Sequence, residues 1–392
     1  MDNIRGKVSM KIKNTIRTIT PVTMDSDHFP VVVSNIGISS RDDDLSVEII
    51  KAKTAIDAGA DIISDLSLVE NVAEVQKRYL DIINVPFSAV SIYETFCKNI
   101  GKRKLVAEDF IVDFEKQAMR GIDLLTLHAT VFKEDMRLIE ASKRHIPTTS
   151  RGGVMMLRCL QRYGYENPYY EYFDDVLKIA KKYDICLSLG PMYRPGSVWD
   201  CQYENNLHFV ELSRMGELVG KANAANVGIA IEGIGHAPLN VIPSLISEAK
   251  KVCSEAPYRV LTVSTDTAMG YDHISSAIAS SVAVQYGADS ITCVTRSEHL
   301  GLPTIEDIRE SVICARIAAE SGYRARKKEF PLDYLASSAR SKFGCGAMSE
   351  GFMFMDELIT INRGEHKGQS CGMCGDFCPF LILDEMKSNA NL

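Results

Sequence analysis

The sequence lacks the features that membrane insertion, secretion or nucleic-acid binding would require. It contains no run of 18 apolar residues, and residues 1–20 are basic but carry no apolar signal-peptide core. The formal net charge is −7, and Lys and Arg are spread along the chain instead of forming a basic stripe or block. We therefore expect a cytoplasmic protein that binds small molecules, with neither nucleic acid nor a membrane as a partner.

A disulfide framework is also missing. The number of cysteines, 11, is odd, and eight of them, from Cys97 to Cys345, occur singly, several inside apolar runs such as residues 185–187. Reduced cysteines in the core of a cytoplasmic protein have this distribution. The other three, Cys371, Cys374 and Cys378, are grouped within one stretch of eight residues.

This cysteine cluster has three interpretations. Three thiolates separated by small Gly residues can hold an iron-sulfur cluster in which one iron stays open for a ligand. With His366 as a fourth ligand, the same cysteines could instead form a Cys3His zinc knuckle. Three unrelated thiols are the third interpretation, which the close spacing disfavours. The cysteines alone do not decide between iron-sulfur and zinc.

From residue 29 onward, short β-branched or apolar runs alternate with amphipathic segments that have apolar residues at helical spacing. The candidate strands are residues 31–34, 61–66, 87–92, 124–128, 147–150, 186–189, 228–232, 260–264 and 290–294. Regular alternation over about 260 residues predicts a parallel sheet, and this length favours an α/β fold closed into a TIM-type (βα)8 barrel. Nine candidates compete for eight places, so one must lie outside the barrel or must not be a strand.

The pattern predicts four segments. Residues 1–28 form an N-terminal extension and residues 29–304 form the barrel. Helical periodicity without strands then predicts a helical extension over residues 305–361, with helices at 305–321 and 334–361 on either side of a basic patch at 324–328. Residues 362–392 form the tail that carries the cysteine cluster, and its Gly-, Asn- and Ser-containing start suggests a hinge that would let it fold over the barrel mouth.

Polar residues follow the candidate strands. In parallel barrels the active site lies at the carboxyl ends of the strands. A polar loop residue is usually only solvated, but a polar residue at each of nine strand ends predicts a site. The residues are Asn35, Ser64 with Asp65, Tyr93, His128, Ser150 to Gly153, Arg194 to Ser197, Glu232 with His236, Asp266, and Glu298 with His299.

Two of these strand ends have the chemistry of phosphate binding. The segment Ser150-Arg-Gly-Gly153 offers a guanidinium fork, a hydroxyl group and backbone amides that an anion can approach closely. Arg194 could clamp the same anion from the neighbouring strand. The alternative is that both segments are tight turns with surface arginines.

Two histidines have the chemistry of a divalent metal site. His236 and His299 follow nearby strands, with carboxylates close by and room left for a small ligand. A single histidine is more often a core residue with a hydrogen-bond partner, so the pair is what favours a metal. His273 is a third candidate, although it could instead cap the helix that follows it.

These motifs together resemble the family of phosphomethylpyrimidine synthase and 5-hydroxybenzimidazole synthase, which are atypical radical S-adenosylmethionine enzymes. The likeness extends from about Asn35 to Cys378 and is far beyond chance. Its most specific stretches are Asn35-Ile-Gly37, Ser150-Arg-Gly-Gly153, Arg194-Pro-Gly-Ser197, Glu232-Gly-Ile-Gly-His236, Gly270-Tyr-Asp-His273, Glu298-His-Leu-Gly-Leu-Pro303 and the cysteine tail.

The resemblance implies a carbon-carbon lyase that cleaves S-adenosylmethionine to a 5'-deoxyadenosyl radical and rearranges aminoimidazole ribotide. Cys371, Cys374 and Cys378 would hold a [4Fe-4S] cluster and, with Glu232, would be the catalytic residues; His236 and His299 would bind zinc or iron. The resemblance thus favours iron-sulfur over zinc at the cysteines. It also implies reduced ferredoxin or flavodoxin as electron donor and a homodimer. The implied substrate-binding residues are Asn35, Ser64, Tyr93, His128, Ser150, Arg151, Gly152, Arg194, Glu232 and Tyr258.

The chain departs from the family pattern in ways that bear on the product. The cysteine spacing is C-x2-C-x3-C, one residue shorter than usual, and residues 191–193 replace an Asp-Gly-Leu, so that a carboxylate before Arg194 is lost. Ser64 replaces a Met, and Ile234 replaces a Pro. A changed pocket on an unchanged cluster favours 5-hydroxybenzimidazole as product. Phosphomethylpyrimidine is the alternative, and a non-catalytic metal-binding barrel with a zinc-knuckle tail is the alternative from another class.

Overall fold

A computed structural model describes residues 8–39, 44–99, 101–204, 206–343, 352–354 and 373–389 of the chain. The strands of these residues are β1 (Met10–Ile12), β2 (Val22–Met24), β3 (Val31–Ile36), β4 (Ile62–Asp65), β5 (Phe87–Val90), β6 (Leu124–Leu127), β7 (Cys186–Leu189), β8 (Ile229–His236), β9 (Tyr258–Val263) and β10 (Ser290–Thr292). The helices are α1 (Leu45–Asp57), α2 (Val72–Leu80), α3 (Ser91–Asn99), α4 (Ala107–Arg120), α5 (Asp135–Ala141), α6 (Arg151–Tyr163), α7 (Pro168–Glu171), α8 (Phe173–Tyr183), α9 (Val198–Tyr203), α10 (Asn206–Ala224), α11 (Ile242–Val252), α12 (Asp272–Gln285), α13 (Ile305–Lys327), α14 (Pro331–Phe343) and α15 (Pro379–Asn389).

Strands β3 to β10 form a closed parallel barrel in the order β10-β3-β4-β5-β6-β7-β8-β9. The strands are short apolar runs because both of their faces are buried. In β3, Val31 and Val33 face the barrel interior, whereas Val32 packs outward with the helices. The predicted TIM-type barrel followed by a helical region is confirmed.

The candidate strand at residues 147–150 is wrong. Strand β6 pairs directly with β7, with Leu124 opposite Cys186, so no strand fits between them. The segment is instead the loop before α6: the Thr148 hydroxyl donates to the carbonyl of Met192 (2.5 Å), and Ser150 caps the helix through a hydrogen bond from the amide of Gly153. Pro147 and its three hydroxyl-bearing neighbours therefore lie outside the sheet.

The N-terminal residues close the opposite end of the barrel. Strands β1 and β2 form an antiparallel pair whose Met10, Ile12 and Met24 are fully buried. They pack against the first residues of the barrel strands, such as Ile62 and Leu124. Because this end is sealed by apolar side chains, only the carboxyl ends of the strands are open to a ligand.

The chain divides into two compact units, Met1–Arg326 and Lys327–Leu392. The expected segment boundaries, after residues 28, 304 and 361, stay predictions. The basic residues that were expected to separate two helices lie mostly inside α13, which continues to Lys327. Among the described residues, none of the helices is both long enough and apolar enough to span a membrane.

Candidate active site

A cavity opens at the carboxyl ends of the barrel strands. It has about 810 Å³ of empty space, including open solvent at its mouth. Nine of the ten predicted substrate-binding residues line it: Asn35, Ser64, Tyr93, His128, Ser150, Arg151, Gly152, Arg194 and Glu232. The structure therefore brings together residues from strand ends that are far apart in the sequence.

The floor of the cavity is a polar layer inside the barrel. Val33, Ile62, Leu124, Cys186 and Ala230 belong to the apolar cluster nearest the sealed end. Since inward-facing residues alternate along a strand, the residues two positions further on also face inward, and all of them are polar: Asn35, Ser64, Thr126, Ser188 and Glu232. TIM barrels usually fill their interior with bulky branched residues, so a polar layer here indicates a ligand site.

Glu232 is the carboxylate of this floor. Its Oε1 accepts hydrogen bonds from the hydroxyls of Ser188 (2.7 Å) and Thr126 (3.0 Å), and Arg259 Nη1 lies 3.4 Å away. Burial alone would raise the pKa of Glu232, but the guanidinium of Arg259, the hydrogen bonds and the more distant Arg194 together hold the pKa below its ordinary value. Glu232 is therefore an anion at neutral pH.

Arg259 is a floor residue that the sequence reasoning missed. Its side chain is 6 % exposed and lines the cavity, and its Nε donates to Thr292 Oγ1 (2.8 Å). It pairs with Glu232 in the register of β8 and β9. A charged residue within the otherwise apolar run of β9 is the sequence signal that could have found it.

The structure does not bring Tyr258, the tenth predicted residue, to the cavity. Tyr258 is fully buried and belongs to the core cluster outside the barrel interior. Because side chains alternate along a strand, placing Arg259 inside forces its neighbour Tyr258 outward. Gly233 lies beside the Tyr258 ring, where a Cβ would clash with the hydroxyl group.

The start of α6 has the geometry of a phosphate site. The helix begins at Arg151, directly after the capping residue Ser150, and both residues line the cavity. The first amides of a helix point outward and favour an anion. Arg194 lines the same cavity, and among the described residues it has neither a carboxylate partner nor a hydrogen-bond acceptor. The start of α6 and the side chains of Arg151 and Arg194 therefore border the same cavity.

Position 152 requires a glycine because the His128 ring lies directly against it. A Cβ at position 152 would lie 2.6 Å from Nδ1 and 2.8 Å from Nε2 of the His128 ring, and closer still to Cε1. Burial lowers the pKa of His128 to about 4, so the imidazole is neutral at pH 7, and its Nδ1 has no partner among the described residues. The ring is therefore a neutral group packed between the phosphate-site helix and the cavity floor.

The two predicted metal-binding histidines lie together. The rings of His236 and His299 have centroids 5.0 Å apart. Each contacts a carboxylate through Nδ1: His236 with Asp266 (2.6 Å) and His299 with Asp272 (3.2 Å). Metal-binding histidines usually have such a partner, which leaves Nε2 for the metal. His273 instead lies buried near α13, with its Nε2 3.4 Å from Glu310.

No third His, Cys, Asp or Glu completes a metal-binding group with this pair among the residues that the structure describes. Two protein ligands with oriented rings still fit a divalent ion whose other positions are taken by water or substrate. The donor set therefore suits zinc or iron equally well.

The backbone between Glu232 and His236 is strained. Ile234 has φ +68° and Gly235 has φ +86°, within β8. A β-branched residue at positive φ is an outlier, and such strain costs about 1–3 kcal/mol and concentrates at functional sites. The amide of His236 donates to the carbonyl of Pro195 (2.9 Å). The strained turn thereby joins the metal-site histidine to the loop that carries Arg194.

A second cavity shares walls with the first. It has about 830 Å³ of empty space, again including open solvent, and both cavities are lined by Asn35, Leu66, Arg151 and Glu298. Its further lining is mixed: Ile38, Leu68 and Leu302 are apolar, whereas Glu48 is charged and the Ser34 hydroxyl is fully buried with no hydrogen-bond partner among the described residues. The site thus has room for two neighbouring ligands.

The cysteine cluster is described only in part. Cys371, the alternative zinc ligand His366 and the loop 362–370 lie outside the described residues. Cys374 and Cys378 flank a 3₁₀ turn, Gly375–Phe377, in which Phe377 donates its amide to the carbonyl of Cys374 (3.0 Å). Cys378 is 5 % exposed and precedes α15. The short C-x3-C spacing is thus accommodated by a single tight turn.

The fold and the cavity define a TIM-type barrel protein with a polar, partly cationic pocket at the carboxyl ends of its strands. The sequence profile of the Radical SAM ThiC family matches residues 4–385, and the chain belongs to this family. The family resemblance drawn from the motifs, and the prediction of a radical S-adenosylmethionine enzyme, are confirmed at this level.

Three relatives, all named phosphomethylpyrimidine synthase, align over most of the chain. The protein from Thermococcus gammatolerans is 37% identical over 375 residues, which cover 94% of this chain and 88% of the relative. Those from Carboxydothermus hydrogenoformans (37%, covering 90% and 84%) and Methanocaldococcus jannaschii (35%, covering 96% and 90%) are similar. Among solved structures, a Yersinia pestis dihydropteroate synthase covers 80% of this chain at 14% identity, with a TM-score of 0.44, too low to support an inference.

These comparisons overturn the expectation of a 5-hydroxybenzimidazole product. The relatives that align over nearly the whole chain carry the name of the alternative activity. The expectation gave too much weight to a few substitutions, such as Pro191, in a cavity that otherwise contains the predicted residues.

Proposed function

We propose that the protein is a phosphomethylpyrimidine synthase of the thiamine pathway, a radical S-adenosylmethionine lyase that rearranges aminoimidazole ribotide. The observation that carries this proposal is the cavity itself. A helix start and two arginines face the same sealed barrel interior as an ionised Glu232. A ribotide has a phosphate at one end and a polar base at the other, and this cavity offers complementary groups to both.

The protein's own residues bind and orient the substrate in this proposal. Ser150, Arg151 and Arg194 hold the phosphate, because a helix start and guanidinium groups favour an anion. Glu232 accepts a hydrogen bond from the base through Oε2, the carboxylate oxygen without a donor among the described residues. The neutral His128 adds a polar contact without a competing charge. Fixing both ends of the substrate positions the sugar for reaction, and the barrel walls shield it from water on every side except the open mouth.

Two bound groups complete the proposal. Cys371, Cys374 and Cys378 would hold a [4Fe-4S] cluster, which supplies the electron that cleaves S-adenosylmethionine. His236 and His299 would hold zinc or iron, since their Nδ1 atoms already face carboxylates and their Nε2 atoms remain available. The second cavity offers room for the co-substrate beside the ribotide. A reduced ferredoxin or flavodoxin as electron donor and a homodimeric assembly belong to the same proposal.

Anaerobic turnover with product identification tests the proposal. The reconstituted protein is incubated with S-adenosylmethionine, a reductant and aminoimidazole ribotide, and the products are identified by mass spectrometry. We expect a hydroxymethylpyrimidine phosphate together with 5'-deoxyadenosine and methionine. A product that contains no pyrimidine would contradict the assignment. So would the absence of conversion by protein that contains about four iron and four sulfide per chain. Stoichiometric zinc without iron or sulfide would instead support a metal-binding barrel without catalysis.

A further inference from the structure

The proposed phosphate site is built from two segments that are not paired as strands. The helix-entry segment, residues 144–150, leads into α6, whose first residue is Arg151. The Arg194 segment, residues 191–204, follows β7. The two segments touch, because a Cβ at Gly196 would lie 2.5 Å from a side-chain carbon of the helix-entry segment. The relative position of Arg151 and Arg194 therefore depends on how these segments are held together.

Arg144, the first residue of the helix-entry segment, is only 5 % exposed and contacts both segments. Its Nη1 donates to the carbonyl of Tyr193 (2.8 Å) and, within its own segment, to the carbonyl of Pro147 (3.3 Å). Its Nε donates to the carbonyl of Glu204 (2.9 Å), at the far end of the Arg194 segment. One guanidinium group thus binds backbone oxygens on both sides, and Tyr193 directly precedes Arg194.

Backbone carbonyls bind this charge instead of a carboxylate. Among the described residues Arg144 forms no ion pair, although the charges of Asp200 and Glu211 act on it through space. Its Nη2 is buried and has no hydrogen-bond partner in the same part of the chain. Burying a charge without a carboxylate partner is costly for folding, so stability alone does not account for an arginine at this position.

Two further side chains join the same segments. The Thr148 hydroxyl donates to a carbonyl of the Arg194 segment (2.5 Å), and the Asp200 carboxylate accepts two backbone amides of the helix-entry segment at 2.9 Å each. Arg144 itself lines neither cavity. It can therefore act on a ligand only through the residues whose position it sets.

We infer that Arg144 is a positioning residue, which holds Arg194 opposite Arg151 by donating to backbone carbonyls of both segments. That the ligand of these two arginines is a phosphate group rests on the proposed function. Two guanidinium groups on one cavity repel each other when no anion is bound, so a constraint from outside the cavity keeps them in place. Arginine suits this task because its planar fork directs donors to several sides, whereas a lysine ammonium is a single point of charge.

Calorimetric titration of the full-length protein with ribose 5-phosphate tests the inference, without S-adenosylmethionine so that no turnover occurs. We expect Arg144→Met to weaken binding by about 10- to 100-fold, the effect of losing one well-aligned hydrogen bond to a charged group. Arg17→Met is the matched control, because the Arg17 side chain is also largely buried and donates to backbone carbonyls, but at the sealed end of the barrel. Its loss should lower the free energy of unfolding and leave the affinity unchanged.

A double-mutant cycle separates positioning from a general loss of structure. If Arg144 acts through Arg194, Arg144→Met should weaken ribose 5-phosphate binding much less in the Arg194→Met background than in the wild type. A defect unrelated to Arg194 would instead add its full effect to that of Arg194→Met.

Two milder variants keep the test decisive if Arg144→Met does not fold. Arg144→Lys keeps the charge but cannot reach the carbonyls of both segments, so its affinity should lie below that of the wild type and above that of Arg144→Met. Thr148→Val removes one hydrogen bond between the same segments without leaving a buried charge, and it should weaken binding severalfold.

The outcomes are distinct. If Arg144→Met, or both milder variants in its place, bind ribose 5-phosphate as the wild type does, the inference is wrong, whatever the turnover assay shows. It is also wrong if Arg17→Met weakens binding as much, or if the effects of Arg144→Met and Arg194→Met are additive. If the wild type does not bind ribose 5-phosphate, the inference fails together with the proposed phosphate site. If binding depends on Arg144 but aminoimidazole ribotide is not converted to a pyrimidine, the inference holds and the proposed reaction fails.

Discussion

Replacement of Gly152 by Ala tests how the phosphate site is built. The added methyl group would lie 2.6 Å from Nδ1 and 2.8 Å from Nε2 of His128, whereas non-bonded atoms prefer about 3.5 to 4 Å, so the ring or the helix start must move by about 1 Å. Gly190 also lies beside the ring, since a Cβ there would be 3.0 Å from Nε2, so His128 packs against two positions that have no side chain. Overpacking of this kind costs about 1–3 kcal/mol of folding stability.

The same displacement should weaken anion binding. Misaligning the first amides of α6 removes hydrogen bonds to a charged group worth about 1.5–3 kcal/mol, which corresponds to roughly 10- to 150-fold in the dissociation constant. Ribose 5-phosphate, measured by calorimetric titration, isolates this effect from recognition of the base. Gly220→Ala is the matched control, since Gly220 lies in α10 with no atom within 4 Å of the added Cβ, and Ala should be neutral or stabilising there.

A double-mutant cycle identifies the cause. His128→Ala removes the ring that the new methyl group meets, so Gly152→Ala should cost far less phosphate affinity in that background than alone. Unchanged binding in the single variant would refute the steric argument. Strictly additive effects would show that the loss does not arise from the contact with His128.

Three further predictions concern other parts of the molecule. Burial lowers the pKa of His208 to about 4, and neither ring nitrogen has a partner among the described residues. The unfolded chain takes up the proton at a higher pH than the folded protein does. Acidification from pH 6.5 to 5 should therefore lower the free energy of unfolding of the wild type by about 2 kcal/mol through this residue. His208→Leu should show a smaller loss of stability in urea unfolding over that range, and an identical loss would contradict the assignment. Asp266→Asn should weaken metal binding by about 10- to 100-fold while the fold persists, as followed by quenching of the only tryptophan, Trp199, on titration with Co²⁺; unchanged affinity would contradict the role of Asp266 in orienting a metal-bound His236. Cys374→Ala should abolish 5'-deoxyadenosine formation with an unchanged circular dichroism spectrum, and full turnover would exclude the cluster role.

The strand and helix pattern of the barrel could be predicted because each element is determined by local periodicity. Residues 31–34 and 290–294, for example, are short, mostly apolar runs that must be buried on both faces, and both overlap observed strands. The segment 147–150, Pro-Thr-Thr-Ser, shares only β-branched residues with them, and the direct pairing of β6 with β7 leaves no place for it in the sheet. Composition can identify a segment that is able to form a strand, whereas only the closed sheet decides which segments do so.

Most of the candidate site could also be predicted, because active-site residues follow barrel strands in chain order. The limit of this reasoning is at β9, where Tyr258 was predicted to bind the substrate but its neighbour Arg259 lines the cavity. A shift of one residue reverses every side chain of a strand, and the alternation of β9 becomes certain only when Arg259 is seen opposite Glu232. The dependence of Gly152 on His128 could not be foreseen at all, since it joins the first turn of α6 to the residue after β6, which meet only in the folded barrel.

The loop that carries Arg194 explains why the loss of a carboxylate at position 191 need not change the reaction. The amides of Met192 (2.7 Å) and Tyr193 (2.8 Å) donate to Glu211 on α10, behind the cavity. Burial raises the pKa of Glu211 to about 7, although these hydrogen bonds partly oppose that shift. The position of Arg194 is therefore set from outside the cavity by a carboxylate that does not contact the ligand.

The residue at position 191 is then free to vary as long as the floor still recognises the base. Ile234 supports the same conclusion, because its φ of +68° is a conformation that proline, with φ fixed near −65°, cannot adopt. The backbone between Glu232 and His236 therefore has a conformation that a proline at position 234 could not adopt, and it still places both side chains at the site. Glu232 and Arg259 line the cavity with charged groups, whereas Pro191 and Ile234 offer none, so product assays should depend more on Glu232 and Arg259 than on Pro191 or Ile234.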